Sequence, residues 1–494
     1  MLFTSLAYLF FFPVVFAAYW CAPKSWRREL LLFASYVFYM SWIPAYGLLL
    51  FFLTVCNYFL GLIIDKYRNH GKTIVTLGLI ANIGALAYFK YTNFILDSIK
   101  SALVGLAPWL KLPFGPADLP VVNVILPLGI SFFVFEFIHY IVDIYRGHKP
   151  IKNPIDFALF AAFFPSQIAG PIKRFQDFEK QLGELKPLNQ TLVHDGITLI
   201  LQGLFKKVAL SDNLSGLVSA GYSHCASVGT VDAWIMSIAF SIQVYLDFSG
   251  YTDMGRGSAL LLGFKLPDNF DLPYFATSLS SYWRRWHISL STWLRDYLYI
   301  PMGGKYVSRA RKHINLFITM LLGGLWHGAA WHYVLWGAMQ GLMLATNHEY
   351  DARIKNNSAL LKFHASLMGQ FLGFLLTFVS MNFSLVVFRA TNLNDAMTVY
   401  ARMFWPHASL SRPLFDDFSD STLPVALGAY IVYFILSCGD RLPVISKARA
   451  YVSSRAALAR ACGWPTRIAI YAGSFLAAVG FSPSNASPFI YFQF

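Results

Sequence analysis

The sequence predicts an all-α, multi-pass membrane protein with about eleven transmembrane helices, and three observations predict it. Of 494 residues, 56% are hydrophobic and 17% aromatic against only 13% charged, with a mean hydropathy of +0.50, a mixture unlike that of a soluble domain. Apolar runs approaching the length needed to cross a hydrocarbon core of about 30 Å recur from one end of the chain to the other. Lysine and arginine gather in the short segments between those runs.

The runs lie at about 5 to 21, 30 to 45, 47 to 64, 74 to 89, 121 to 142, 194 to 205, 232 to 246, 314 to 336, 367 to 388, 423 to 438 and 467 to 482. The first, LFTSLAYLFFFPVVFAAYW, has no basic residue before it and is followed by Lys24, Arg27 and Arg28. That polarity is the reverse of a cleavable signal peptide, so it reads as a retained helix whose N-terminus faces outward. Lys66, Arg68 and Lys72 follow the third run, and Arg146, Lys149 and Lys152 follow the fifth. Basic loops thus alternate as an outside N-terminus requires.

A formal net charge of +14 invites a nucleic-acid reading. The basic residues are instead spread over short loops between apolar spans, where topology and anionic lipid account for them, so the expected partner is the bilayer and not nucleic acid. Cys21, Cys56, Cys225, Cys438 and Cys462 show no CxxC and no metal spacing, and they read as buried thiols. No internal repeat or low-complexity linker divides the chain, which is expected to be one membrane domain over 1–494 with a motif-dense core at about 120 to 350.

Two segments interrupt the apolar pattern. In IDFALFAAFFPSQIAGPIKR, Ile155 to Arg174, Pro165, Gly170 and Pro171 break an apolar stretch that basic residues flank on both sides. A re-entrant hairpin packed in protein satisfies both facts, and an ordinary kinked span is the alternative. In VYLDFSGYTDMGRG, Val244 to Gly257, Asp247, Ser249, Tyr251, Asp253 and Arg256 interrupt an apolar region with small residues, a pattern for backbone lining a cavity. Singly, each could be a helix end with its cap.

The densest chemistry lies in WRRWHISLSTWLRDYLYIPMGG, Trp283 to Gly304, and in LLGGLWHGAAW. Arg284, Arg285, His287, Arg295 and Asp296 are crowded among Trp283, Trp286 and Trp293, and His327 follows Trp326 at the end of a long apolar run. Ionisable groups near hydrocarbon depth are costly unless they line a cavity or pair, which makes this cluster a candidate site. An imidazole titrates near neutrality and suits general-base work. Gly323 and Gly324 would let neighbouring backbone approach the His327 helix closely.

Most of the twelve histidines read as solvated loop or span-end residues. His139 has Glu136 and Asp143 at helical spacing and fits a structural hydrogen-bond network better than catalysis. His332, five residues after His327, falls on a different helical face. There is no GxSxG elbow, no HExxH pair and no zinc spacing, so base catalysis in a membrane tunnel is what the residues favour. Arg284, Arg285 and Arg295 would suit the phosphates of a coenzyme A or phosphopantetheine donor at a tunnel mouth. The bland alternative, contact with lipid head groups, fits Lys305, Arg309, Arg311 and Lys312 better.

At FFPSQIAGPIKRF, YLDFSGYTDM, LGFKLPDNFDLPY, YWRRWHISLSTWLRDYLYIPMGG and LLGGLWHGAAWHYVLWGAMQG the chain resembles the membrane-bound O-acyltransferase family. The likeness is to its bacterial branch, which serves alginate O-acetylation and cell-wall D-alanyl transfer, and it covers about residues 5 to 390. The resemblance implies re-entrant elements around a central funnel and tunnel. In it His327 matches the family's catalytic histidine and His287 its second one. Gln167, Asp247, Ser249, Trp283, Trp286, Asp296 and Trp326 join the arginines as candidates for the donor site or tunnel lining. The implied activity is transfer of an acyl group from a cytoplasmic thioester, acetyl-CoA or a carrier-protein thioester, to a hydroxyl acceptor on the far side. No bound cofactor or metal is expected. The implied partner is a periplasmic or extracellular acetyltransferase that modifies an exported polysaccharide. Gly255 and Arg256 depart from the alginate pattern. Two further readings stay open at this point: D-alanyl transfer to a cell-wall polymer, and a transporter or flippase of an acyl donor.

Overall fold

The computed structural model describes residues 1–110, 121–122, 124–408, 464–483 and 489–490, with isolated positions at 424, 427, 428 and 431. Every regular element among them is helical. Four helical stretches are long and apolar enough to cross a membrane: Ala45–Lys66, Arg68–Val104, Thr230–Leu261 and Leu367–Arg389. The shorter Leu6–Cys21 is also apolar. Four is well below the eleven spans expected, because several apolar runs form short or interrupted helices. The run at 30 to 45 gives a helix of 14 residues, Arg27–Met40, and the run from 121 begins outside any helix until Ile130. The run at 423 to 438 falls almost wholly outside the described residues, as do Cys438 and Cys462. Cys21, Cys56 and Cys225 are free thiols, but of the three expected to be buried only Cys225 is, Cys56 being half-buried and Cys21 exposed at the end of its helix.

The chain gathers into two compact units, and the first comprises residues 1–188, 262–273 and 279–362. It opens with α1 (Leu6–Cys21), α2 (Arg27–Met40), α3 (Ala45–Lys66) and α4 (Gly71–Leu86). A π-helix over Ala87–Tyr91 leads from α4 into α5 (Thr92–Leu110). Next comes α6 (Ile130–Tyr145), whose residues are nearly all buried. Ile155 to Arg174 is broken into α7 (Pro154–Ala162) and the single turn α8 (Phe164–Gln167). Asn153 caps α7 by accepting the amide of Ile155 at 2.9 Å, with Pro154 in the first turn where a missing N–H costs nothing. At 9 residues, α7 rises only about 14 Å, half of a hydrocarbon core. The last helix before the first unit gives way is α9 (Phe175–Gly183).

The second unit comprises residues 189–261, 274–278 and 363–494. In it α10 (Gln190–Leu204), a π-helix over Phe205–Ser211 and α11 (Asp212–Ser223) precede the 32-residue α12 (Thr230–Leu261). Glycines set this packing. A Cβ on Gly203 would lie 2.4 Å from the Gly250 carbonyl oxygen, and one on Gly257 would lie 2.6 Å from that of Gly196. Two glycines seven residues apart on each helix therefore let α10 and α12 meet backbone to backbone, as small residues do between membrane helices.

The stretch Val244 to Gly257 lies inside the unbroken α12 and is not irregular backbone. Its carboxylates explain why. Asp247 lies 2.6 Å from Lys207 and accepts the Ile490 amide at 2.7 Å, while Lys206 reaches Asp253 at 2.7 Å. Polar side chains whose bonds are met across a helix pair do not break the helix that carries them.

Back in the first unit, α13 (Leu279–Trp283), α14 (Ile288–Leu294) and a π-helix over Arg295–Tyr299 carry the Trp283 segment. They are followed by α15 (Arg309–His327) and α16 (Trp331–Lys355). The second unit then resumes at Phe363, within α17 (Ser358–Ala365), and continues with α18 (Leu367–Arg389), α19 (Leu393–Phe404) and α20 (Trp464–Gly480).

Candidate active site

The site is built where α14 and α15 meet α6 in the first unit. His327 is the last residue of α15, which ends as the backbone turns extended at Gly328. Close packing of α15 on α16 fixes that end. A Cβ on Gly324 would fall 2.3 Å from the Tyr333 carbonyl oxygen and 2.8 Å from Gly337 Cα, so only glycine admits this approach. Gly323 instead faces the Leu294 side chain. The expectation of close backbone contact thus holds at Gly324.

His287 precedes α14 in the left-handed region, φ 41 and ψ 55, one of two non-glycine residues with positive φ among those described. That conformation is costly for a side chain and persists only where neighbours impose it. The neighbours here start with Asn269, fully buried. Its backbone carbonyl accepts the Ile288 amide at 2.9 Å, and its Oδ1 accepts the Ser289 hydroxyl at 2.7 Å and the Ser289 amide at 3.2 Å. Ser289 Oγ in turn accepts the Ile172 amide at 3.0 Å. The backbone on either side of the imidazole is therefore held by two separate segments.

The two imidazoles flank one indole. Trp326 has its ring centroid 5.8 Å from that of His287 and 5.0 Å from that of His327. Trp336 stands edge-on to His327 at 5.2 Å. Phe132 and Phe135 of α6 cover Trp326 at 5.4 and 5.5 Å, and Phe135 stacks on Trp293 at 3.8 Å. His287 is 1% and His327 7% exposed, so both rings sit in a dry aromatic pocket. An imidazole shielded in this way is fit to move a proton without competition from bulk water.

The other candidates separate. Trp283 donates to Gln340 at 3.2 Å and neighbours Trp336 at 6.1 Å, on the fringe of the pocket. Trp286 is buried against Tyr282 and Phe270. Arg285 is tied to Ser281 and Asp271. Arg284 is exposed. Arg295 is 59% exposed at its side chain and pairs with Asp296 at 2.8 Å. Gln167 is buried, and neither its amide oxygen nor its nitrogen has a hydrogen-bond partner among the described residues. Asp247 and Ser249 belong to the second unit, where Asp247 is engaged by Lys207 and Ile490.

Beside Asp296 lies a cleft of about 600 Å³ lined by Asp143, Arg146, His148, Arg174, Asp296 and Tyr297. Arg174 reaches Asp296 at 2.8 Å, and the guanidinium carbons of Arg146 and Arg174 stand 5.0 and 4.8 Å from the Tyr297 ring centroid. His139 accepts the Phe175 amide at 3.4 Å and packs among Phe160, Phe175 and Tyr297, a structural role. Its expected carboxylate neighbours look elsewhere, Glu136 to Lys173 and Asp143 to Tyr297. Among the described residues no three His, Cys, Asp or Glu side chains gather as a metal site would require.

Sequence reasoning passed over Lys90 and Tyr91. Lys90 Nζ lies 2.5 Å from the Trp326 carbonyl oxygen and 3.1 Å from that of His327, and Tyr91 donates to the Leu325 carbonyl at 2.9 Å. Nothing local could reveal this, because the partners are more than 230 residues apart.

Residues 48–388 match the model of MBOAT, the membrane-bound O-acyltransferase family. A probable alginate O-acetylase AlgI of Azotobacter vinelandii is 38% identical over the full length of both chains. A peptidoglycan O-acetyltransferase of Helicobacter pylori is 35% identical over 82% of this chain and 80% of its own. A teichoic acid D-alanyltransferase of Bacillus subtilis is 26% identical over 58% of this chain and 78% of its own.

Proposed function

The chain belongs to the membrane-bound O-acyltransferase family, and from that premise we propose that it takes acetyl groups from a cytoplasmic thioester, acetyl-CoA, and passes them across the membrane for O-acetylation of an exported or cell-surface polysaccharide. The observation that carries the chemistry is the pair of buried imidazoles on either side of Trp326. His327 takes the proton of the acceptor hydroxyl as its oxygen attacks the acyl carbon. The new C–O bond forms, the C–S bond breaks, and the departing thiolate receives the proton that His327 holds. His287 orients the donor or polarises its carbonyl. Arg284, Arg285 and Arg295 face the donor's phosphates at the entrance, with Trp283, Trp286, Asp296 and Gln167 lining the path. The acetylating relatives support an acetyl donor and a polysaccharide acceptor. A periplasmic acetyltransferase is the natural recipient in such a relay.

The whole chain is read as one acyltransferase domain, since the family match runs through residues of both units. It is placed in the bacterial cytoplasmic membrane with its N-terminus outside and about eleven spans, a count that takes in the shorter helices. Transfer of label from acetyl-CoA to a polysaccharide acceptor in reconstituted vesicles tests this. His327→Ala should lower it by about 10² to 10⁴ while the protein stays folded. Wild-type transfer by that variant would sink the mechanism. Transfer from a D-alanyl carrier-protein thioester but not from acetyl-CoA would reassign the donor, and passage of intact donor would make the protein a transporter.

A further inference from the structure

A helix leaves its last carbonyls without amide partners, and buried ones must be met by something else. In α15 that end is the site itself, since His327 is the final helical residue and the extended backbone at Gly328 interrupts the helical ladder before α16 begins at Trp331. Two consecutive side chains meet the exposed carbonyls. Tyr91 donates to Leu325, and Lys90 donates to Trp326 and His327. The amine also stands 5.9 Å from the Trp326 ring centroid, beside the indole that separates the two imidazoles.

Both side chains come from the π-helix Ala87–Tyr91 between α4 and α5. A π-turn inserts a residue into the helical register, a device that is rare and concentrated at functional sites. Terminal helical turns otherwise fray. Since the imidazole of His327 is set by the direction of its own Cα–Cβ bond, holding the carbonyls of residues 325 to 327 holds the base.

We infer that Lys90 is a positioning residue for acyl transfer, with Tyr91 as its auxiliary: together they lock the C-terminal end of α15 so that His327 meets the reacting hydroxyl in one geometry. The inference rests on the reading of His327 as the base. A misplacement of about 1 Å costs on the order of 10² in rate in such sites. A merely stabilising residue would behave differently, lowering the amount of folded protein and leaving turnover per folded molecule untouched.

The test compares wild type, Lys90→Met, Lys90→Arg, Tyr91→Phe and His327→Ala in the same vesicles, with transfer from labelled acetyl-CoA divided by the amount of folded protein. Lys90→Met should lower kcat by ~10 to 100-fold with the donor KM changed less than about two-fold. Lys90→Arg, which restores a donor of similar reach, should recover to within about five-fold of wild type. Tyr91→Phe should lose at least about two-fold in kcat. Wild-type turnover per folded Lys90→Met molecule, or a loss confined to KM, overturns the inference while His327→Ala remains inactive. Should Lys90→Met not accumulate, Tyr91→Phe decides, and wild-type turnover there overturns it. Full activity of His327→Ala removes the base itself, an outcome distinct from either.

Discussion

Lys173 and Glu136 form a charge pair inside the protein, the amine 2.8 Å from each carboxylate oxygen and both side chains no more than 5% exposed. Lys173 follows the broken segment of α7 and α8, and Glu136 stands in the middle of α6. Phe160 and Phe178 pack around the amine at 4.9 and 5.7 Å. The pair ties the C-terminal end of that segment to the helix whose phenylalanines cover Trp326.

Removing one partner strands the other's charge. Lys173→Met or Glu136→Leu alone should each cost about 3 to 5 kcal/mol, whereas the double variant should regain most of it. Thermal unfolding in detergent, followed for the four proteins, measures the cycle. Additive losses in the double variant would show that the two side chains do not act as a pair.

The helix contact behind His327 gives a second prediction. Gly324→Ala places a methyl group into the Tyr333 carbonyl and should cost about 1 to 3 kcal/mol or more, with activity falling because α15 shifts. Gly84 has nothing within 4 Å of where its Cβ would stand, so Gly84→Ala should be neutral or gain about 0.5 to 1 kcal/mol from helix propensity. Melting temperatures of the two variants should move in opposite directions or differ by several degrees.

The arginines proposed for the donor entrance differ in their surroundings. Arg284 is exposed, so Arg284→Lys should raise the apparent KM for the thioester about 3 to 10-fold with kcat nearly kept. Arg285 is also held by Ser281 and Asp271, so Arg285→Lys should lower stability as well as raise KM. Donor titrations at fixed acceptor distinguish these outcomes; an unchanged KM for Arg284→Lys assigns that residue to lipid contact.

Sidedness gives the fourth prediction. Reporters fused just before 155 and just after 175 should lie on the same face, because α7 and α8 are too short to cross. Cysteines placed at 68 and 149 should resist impermeant reagents in intact cells. Labelling at either position, or reporters on opposite faces, would invert the map of every later loop.

What could be read from the sequence follows from how local the signal is. The break in Ile155 to Arg174 is announced by Pro165, Gly170 and Pro171 themselves, and the pocket histidines by the tryptophans beside them. The polar residues of Val244 to Gly257 mislead, since the same letters describe irregular backbone or a continuous helix. Lys206 and Lys207, about 40 residues away, decide for the helix. Lys90 was silent because its role exists only once α15 ends beside it. The short helices also explain the span count: hydropathy records that a run is apolar and not where its hydrogen-bond ladder stops.

The left-handed backbone at His287 has a consequence for how this protein can change. A non-glycine residue there carries a penalty on the order of 1 kcal/mol that glycine would not, so the most comfortable residue at position 287 is one without an imidazole. His287→Gly should therefore melt no lower than His287→Ala while being equally impaired in donor use. Selection for robustness alone would erase the histidine. If the proposed role of His287 holds, this is a position where catalysis and durability pull in opposite directions, and where a stabilising drift would be the first step toward a silent protein.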